Sequence, residues 1–503
     1  MRFLRTHGMR AVENPATKSL HRGEKDGCQT IGGRFMSHPI ELFFVKLLFC
    51  AVCIVAAASP VSGAGWSALG TGLDNTVHAL AWDGSGNLYA GGEFTTAGGV
   101  PANYIAKWDG SNWSALGTGL DNTVHALAWD GSSSLYAGGV FTTADGNSAN
   151  YIAKWDGSNW SAVGTGLDNT VYALACDGSG VLYAGGVFNT AGGVPADGIA
   201  KWDGSNWSAL GLGVNSSVHA LACDGGGNLY AGGEFTTAGG VSANYIAKWD
   251  GSNWSSLGIG MNDFVLSLAW DGSGNLYAGG FFTTAGGNSA NYIAKWDGSN
   301  WSVMGTGVND TVHALVYDGS GNLYAGGFFN TAGSVAKWDG SNWSALGTGI
   351  NNVVYALAWD GSVTLYAGGL FSAAGWTSAN NVAKWSPTYT VTYNSNGCTS
   401  GWRPDDQTKF HGVDLILATN TGNLARTGYT FIGWNTAADG SGAHYDEGAT
   451  YTTDAAMVLY AEWTSDTPQT VPAMSSWGMI IFALLMGGMA ILLMKKRCPP
   501  YKG

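Results

Sequence analysis

Charge is scarce in this chain: Asp, Glu, Lys and Arg make up 11% of its 503 residues. Lys and Arg number 22 against 35 Asp and Glu, for a net charge of −13. No basic stripe runs through the body, so a phosphate-tracking surface is excluded and nucleic acid is not an expected partner. Proline is also sparse, at 11 against 79 glycines, and the glycines lack the three-residue period of collagen. Outside the apolar stretch that holds Cys50 and Cys53 no C-x-x-C pair occurs, which removes the usual spacing of a zinc site from the body of the chain. Cys28, Cys50 and Cys53 lie in or before a targeting-type segment, leaving Cys176, Cys223, Cys398 and Cys498. Cys176 and Cys223 stand where other repeats carry Trp82, Trp129, Trp270 and Trp359, and read as small apolar substitutions rather than a disulfide. A helical period is missing from the whole central region.

Aromatics are plentiful, with Trp 23 and Tyr 21, and they exclude disorder. The length calls for more than one domain. Between residues 65 and 387 a unit recurs nearly unchanged, opening at Trp66, Trp113, Trp160, Trp207, Trp254, Trp301 and Trp343. The step is 47 residues, except for 42 between Trp301 and Trp343. Periods of this size belong to propellers, solenoids or arrays. Each unit holds four short β-runs: Val77 to Trp82, Leu88 to Phe94, Tyr104 to Trp108 and Trp113 to Leu116. Asp83-Gly84 and Asp109-Gly110 mark tight turns between them. Gly91-Gly92, inside the second run, marks close backbone approach.

These features predict an all-β chain built on a seven-bladed β-propeller, with a β-helix as the structural rival. The repeats open on an outer-type strand, Gly65 to Gly70, and finish on a third-type strand, Asn381 to Trp385. The offset lets the first strand complete the last blade and removes unpaired edges. Burying one repeated Trp contributes roughly 4–6 kcal/mol before entropy. Gly91-Gly92 after Leu88-Tyr89, followed by Trp108 and Trp113, resembles the kelch pattern. That resemblance implies a propeller and no particular activity.

Four segments are expected. Residues 1–64 hold an upstream stretch and a signal peptide whose apolar core is 41–58, with Met36 as the expected start and Ser62-Gly63-Ala64 as a cleavage-type site. Residues 65–387 form the propeller. Residues 388–464 form a small β-rich module, in which Gly428-Tyr429-Thr430-Phe431, Gly433-Trp434-Asn435 and Leu459-Tyr460-Ala461-Glu462-Trp463 resemble the Listeria–Bacteroides repeat. That likeness implies a cell-envelope location. Residues 465–503 hold a linker and an apolar run, Trp477 to Met494, followed by Lys495-Lys496-Arg497. As a helix the run spans about 27 Å, enough to act as a transmembrane helix with its basic end in the cytoplasm. Val471, Pro472, Trp477 and Gly478 match an IPTL-type sorting signal of Gram-negative bacteria, while Ala473 and Met474 replace its Thr and Leu. The resemblance implies processing by an exosortase-type enzyme and a protein tethered on the outer surface.

Near-identical repeats present every polar group around a ring, whereas catalysis needs particular groups in one place. His78, His125, His219 and His313 are equivalent to Tyr172, Leu266 and Tyr355, and read as packed strand residues. The Asp-Gly carboxylates read as turn formers, since DGSGN lacks a calcium loop's ligand set. No catalytic residue, metal or cofactor is expected. The loops Gly72 to Thr76 and Thr95 to Asn103 vary most, through Asp145, Asn147, Pro195 and a five-residue deletion before Val335. Glu93 and Glu234 stand where other repeats carry Val, Phe or Leu. Loops on a rigid ring are a usual place for recognition. The expected function is therefore non-catalytic binding or adhesion to an extracellular glycan or surface protein. A propeller enzyme acting on polysaccharides or alcohols, or a purely structural envelope component, are the alternatives.

Overall fold

The computed structural model of the protein describes residues 65–466. The signal-type segment, the apolar run and the sorting residues Val471, Pro472, Trp477 and Gly478 lie outside the described residues. Among the described residues no helix is long and apolar enough to cross a membrane.

Each repeat folds as a four-stranded antiparallel sheet. In the first, Val77–Trp82, Leu88–Gly92, Ile105–Trp108 and Trp113–Ala115 pair in chain order. Seven such sheets occur among the described residues. Their innermost strands pack sheet against sheet in chain order, and Val353–Trp359 packs back on Val77–Trp82. The result is a closed, propeller-like ring. The last sheet takes its outermost strand from the start of the repeats, with Trp66 opposite Trp385 and Ala68 opposite Ala383. The expected offset is therefore realised, although the strand is shorter than Gly65 to Gly70.

Two contacts hold neighbouring sheets together. The indole Nε1 of Trp113 donates to the Leu69 carbonyl at 2.9 Å, and that of Trp160 to Leu116 at 2.9 Å. Trp66 closes the series by donating to Leu346 at 2.8 Å. Second, a Cβ on Gly91 would meet Val124 Cγ1 of the next sheet at 2.5 Å, so glycine lets the inner strands approach. On the side of the Asp-Gly turns, the last residue of an inner strand stacks on a tyrosine of the preceding sheet. Trp129 lies 5.9 Å from Tyr89, Trp270 5.5 Å from Tyr230, Trp359 5.4 Å from Tyr324 and Trp82 5.4 Å from Tyr366. Tyr317 covers Tyr277 at 6.2 Å. Cys176 and Cys223, which are free and half-buried, occupy the other two places.

The small module has a five-stranded sheet in which Thr388–Asn394 runs parallel to Met457–Ser465 at its centre. Trp434 fills its core, packing against Tyr393 at 4.7 Å and donating to the Ala418 carbonyl at 2.8 Å. Lys409 is fully buried, and its ammonium donates to Asp454 at 2.6 Å and to the Val413 carbonyl at 2.9 Å.

Candidate functional site

The Asp-Gly turns are self-contained. Asp109 Oδ1 accepts from the amides of Ser111 at 2.8 Å and Asn112 at 2.7 Å. Asp83 accepts from Ser85, Asn87 and the Asn87 side chain. These amide donors hold the Asp109 carboxyl below its ordinary range. Among the described residues no group of His, Cys, Asp and Glu is arranged to hold a metal.

The opposite face departs from the expected long loops. Thr95 to Asn103 folds as a small hairpin, Thr96–Ala97 against Val100–Pro101, turned by Gly98 and Gly99 at positive φ. Asp74 pins it, accepting from the Thr95 and Thr96 amides at 2.8 and 2.9 Å. The third strand starts at Ile105 because Tyr104 has φ 64°, a left-handed conformation that ends the extended run. Tyr151, Tyr245 and Tyr292 repeat this geometry, whereas Gly198, Ser334 and Asn381 take the other three places.

At two of these three places, Gly198 and Asn381, a groove opens. One of about 390 Å³ at Gly198 is lined by Asn189, Asp197, Asn215, Ser216 and Ser217 against Val187 and Val214. The side chains of Asn189, Asp197 and Ser216 make no hydrogen bond within the described residues, leaving an amide, a carboxylate and a hydroxyl to meet a ligand. A second groove of about 360 Å³ at Asn381 is lined by Asn351, Asn352, Ser372 and Asn380 against Leu370. The varying face is legible in the sequence, whereas the grooves are not. Their signal was Gly198 and Asn381 standing in for a repeated tyrosine.

The histidines lie in the inner strands and pack ring against ring, and they do so around the axis of the ring of sheets. In each of the seven four-stranded sheets the first strand bulges at an equivalent place, as between Val77 and Ala79 and, in the last, between Val354 and Ala356. The residue at the bulge is His78 or its equivalent, and a bulge re-aims a side chain. His125, Tyr172, His219, Leu266, His313 and Tyr355 thereby line an axial cavity of about 190 Å³. Successive rings lie close: His78 to His125 at 5.2 Å, His125 to Tyr172 at 5.4 Å, Tyr172 to His219 at 4.9 Å. Tyr355 joins His313 at 5.1 Å and His78 at 5.4 Å. Leu266 alone interrupts the belt. Burial pushes His125 and His313 down to about 4, and lowers His219 despite Glu234 beside it. These three rings are thus neutral at pH 7.

Glu93 and Glu234 also find a role. Glu93 Oε1 lies 3.2 Å from His78 Nε2, and Glu234 Oε1 lies 3.1 Å from His219 Nε2. In the fifth to seventh sheets the same position carries Phe281, Phe328 and Leu370, which are 43%, 56% and 44% exposed. The cavity mouth is therefore acidic and hydrogen-bonding at two sheets and apolar across three consecutive ones.

Residues 66–223 match the Rax2 C-terminal beta propeller domain, and residues 389–462 match the Listeria-Bacteroides repeat domain. Two relatives come from Evansella cellulosilytica. One, provisionally named a Gly-rich membrane protein, is 38% identical over 81 residues, 15% of this chain and 9% of its own length. The other, provisionally named a membrane protein, is 36% identical over 91 residues, 18% of this chain and 14% of its own. The chain thus spans a small fraction of these curated relatives. Among solved structures, the WD40 repeats of RRP9 superpose with a TM-score of 0.47 at 13% identity, over 65% of this chain and 98% of that one. The extracellular domain of a provisionally named one-component system from B. thetaiotaomicron gives 0.46 at 13% identity, over 66% and 40%. In sum, the chain carries a region similar to a known β-propeller domain, followed by a Listeria–Bacteroides repeat.

Proposed function

We propose that the protein is a non-catalytic surface protein whose seven sheets are the blades of one kelch-like propeller, and that its hairpin face binds an extracellular glycan. The observation that carries this reading is the groove at Gly198. Its free amide, carboxylate and hydroxyl beside apolar walls match the alternating hydroxyls and C–H faces of a sugar ring. Its volume falls within the usual range for ligand pockets. A second groove at Asn381 on the same face adds a second contact, and two weak sites gain through effective concentration on a repetitive polymer. The Listeria–Bacteroides repeat and the relatives' membrane names support a place at the cell surface. The C-terminal sorting signal and its exosortase-type processing belong to the same reading.

A glycan array and an envelope pull-down with the protein test it. Gly198→Tyr, which restores the residue of four other blades, should abolish a hit, and Asp197→Ala should weaken it at least tenfold. Hits insensitive to both variants would refute the groove. Substrate consumption lost in Glu234→Gln would replace the binding reading with an enzyme.

A further inference from the structure

A second kind of vacancy lies on the opposite face, among the Asp-Gly turns. In five sheets the inner strand ends in an aromatic ring that covers a tyrosine of the preceding sheet. At Tyr136 the covering residue is Cys176, which is far smaller than an indole. A cavity of about 200 Å³ remains beside Tyr136 and Cys176, bounded by Val181, Lys154 and Asp130. A dry cavity of about 150 Å³ is enough to take up benzene, so this one has room for a bicyclic ring.

The filled sites show what the empty one accepts. Tyr230 carries Lys248 at 5.7 Å over its ring and still stacks on Trp270 at 5.5 Å. Lys154 sits 5.6 Å over Tyr136 in the same way, so it does not occupy the indole's place. The polar edge differs too. In the first sheet Asp83 Oδ2 accepts from Asn87 Nδ2 at 2.6 Å, but Ser134 replaces that asparagine in the second. Asp130 Oδ1 takes the amides of Ser132, Ser133 and Ser134, while Oδ2 accepts no hydrogen bond among the described residues. Those amide bonds hold the carboxyl down at about 2, so a free anionic oxygen borders the cavity.

We propose that the Tyr136–Cys176 cavity is a binding site for a small planar aromatic molecule bearing an N–H donor, of the indole class. The ring lies over Tyr136 in the plane that Trp129 takes over Tyr89 but turned within it: the tethered indoles of Trp82 and Trp270 hold Nε1 without an acceptor, whereas a free ring can turn its N–H to Asp130 Oδ2. Tyr183 and Cys223 repeat the substitution in the next sheet and form a second, weaker position, since Asp177 Oδ2 already accepts from Ser179.

Titration of the full-length protein with 5-fluoroindole, followed by fluorine NMR, tests the site. Saturable binding in the roughly millimolar range suits a ligand of this size. Cys176→Trp supplies the missing indole from the chain itself and should remove the tighter site, with Cys176→Trp/Cys223→Trp removing both. Asp130→Asn should weaken binding several-fold and spare 1-methyl-5-fluoroindole, which has no N–H. Conversely, Trp129→Cys should create a new site over Tyr89. Absence of saturable binding to the parent, or equal binding by Cys176→Trp/Cys223→Trp, would overturn the proposal.

Discussion

At the residue scale, side chains act through repetition and through its breaks. The indole of Trp160 links two sheets by one buried hydrogen bond to Leu116. Trp160→Phe leaves that carbonyl only the Gly119 amide at 3.2 Å and should cost about 1 kcal/mol, measured by denaturant titration. The axial histidines govern acid stability. His125 and His313 titrate near 4 in the fold but near 6.5 when unfolded. Below pH 6.5 the unfolded chain takes up protons that the native one refuses, so stability is full above 6.5 and falls as the pH drops towards 4. Melting temperatures across that window should show the decline, and His125→Gln/His313→Gln should flatten it. Much of this was hidden in the sequence. The alternation of Val77 to Trp82 marks a strand, but no local pattern announces a bulge at His78, because the bulge arises from pairing with Gly91 and Gly92. Packed histidines are what the sequence predicts, and the pairing turns that packing towards the axis.

At the element scale, the repeat unit was largely legible. Four β-runs, two Asp-Gly turns and a glycine pair translate directly into one four-stranded sheet. Boundaries shifted by one or two residues, chiefly because Tyr104 adopts a left-handed backbone that residue type does not signal. The hairpin within Thr95 to Asn103 was read as a loop because its strands are only two residues long. The strand at Trp66 is the most consequential element, since it supplies the last sheet's outer edge. Deleting residues 65–70 removes the Trp66–Leu346 bond and exposes the edge of Val382–Trp385. Loss of cooperative melting or aggregation is expected, and a parent-like transition would contradict closure. In the small module, Asp454→Ala strands the buried Lys409 ammonium and should cost roughly 3 kcal/mol in thermal unfolding of that module.

At the scale of the whole molecule, a rigid ring presents two faces with different chemistry. One consists of Asp-Gly turns whose carboxylates mostly serve their own backbone. The other gathers the pinned hairpins, the two grooves and the mixed acidic and apolar mouth of the axial cavity. Sequence variation marks this second face, but the grooves depend on how Gly198 and Asn381 sit where other sheets carry tyrosine. In the proposed reading the chain is exported and tethered, so envelope protein should show a mature N-terminus near Gly65 and a chain processed near Pro472 by mass spectrometry. The central claim is that recognition belongs to the hairpin face. Hydrogen–deuterium exchange of the protein with and without a glycan from the array tests it most directly. Protection is predicted at residues 187–198 and 214–217 around the first groove, and at 370–381 around the second. Protection confined to the Asp-Gly turns, such as residues 83–87 and 109–112, would contradict the account.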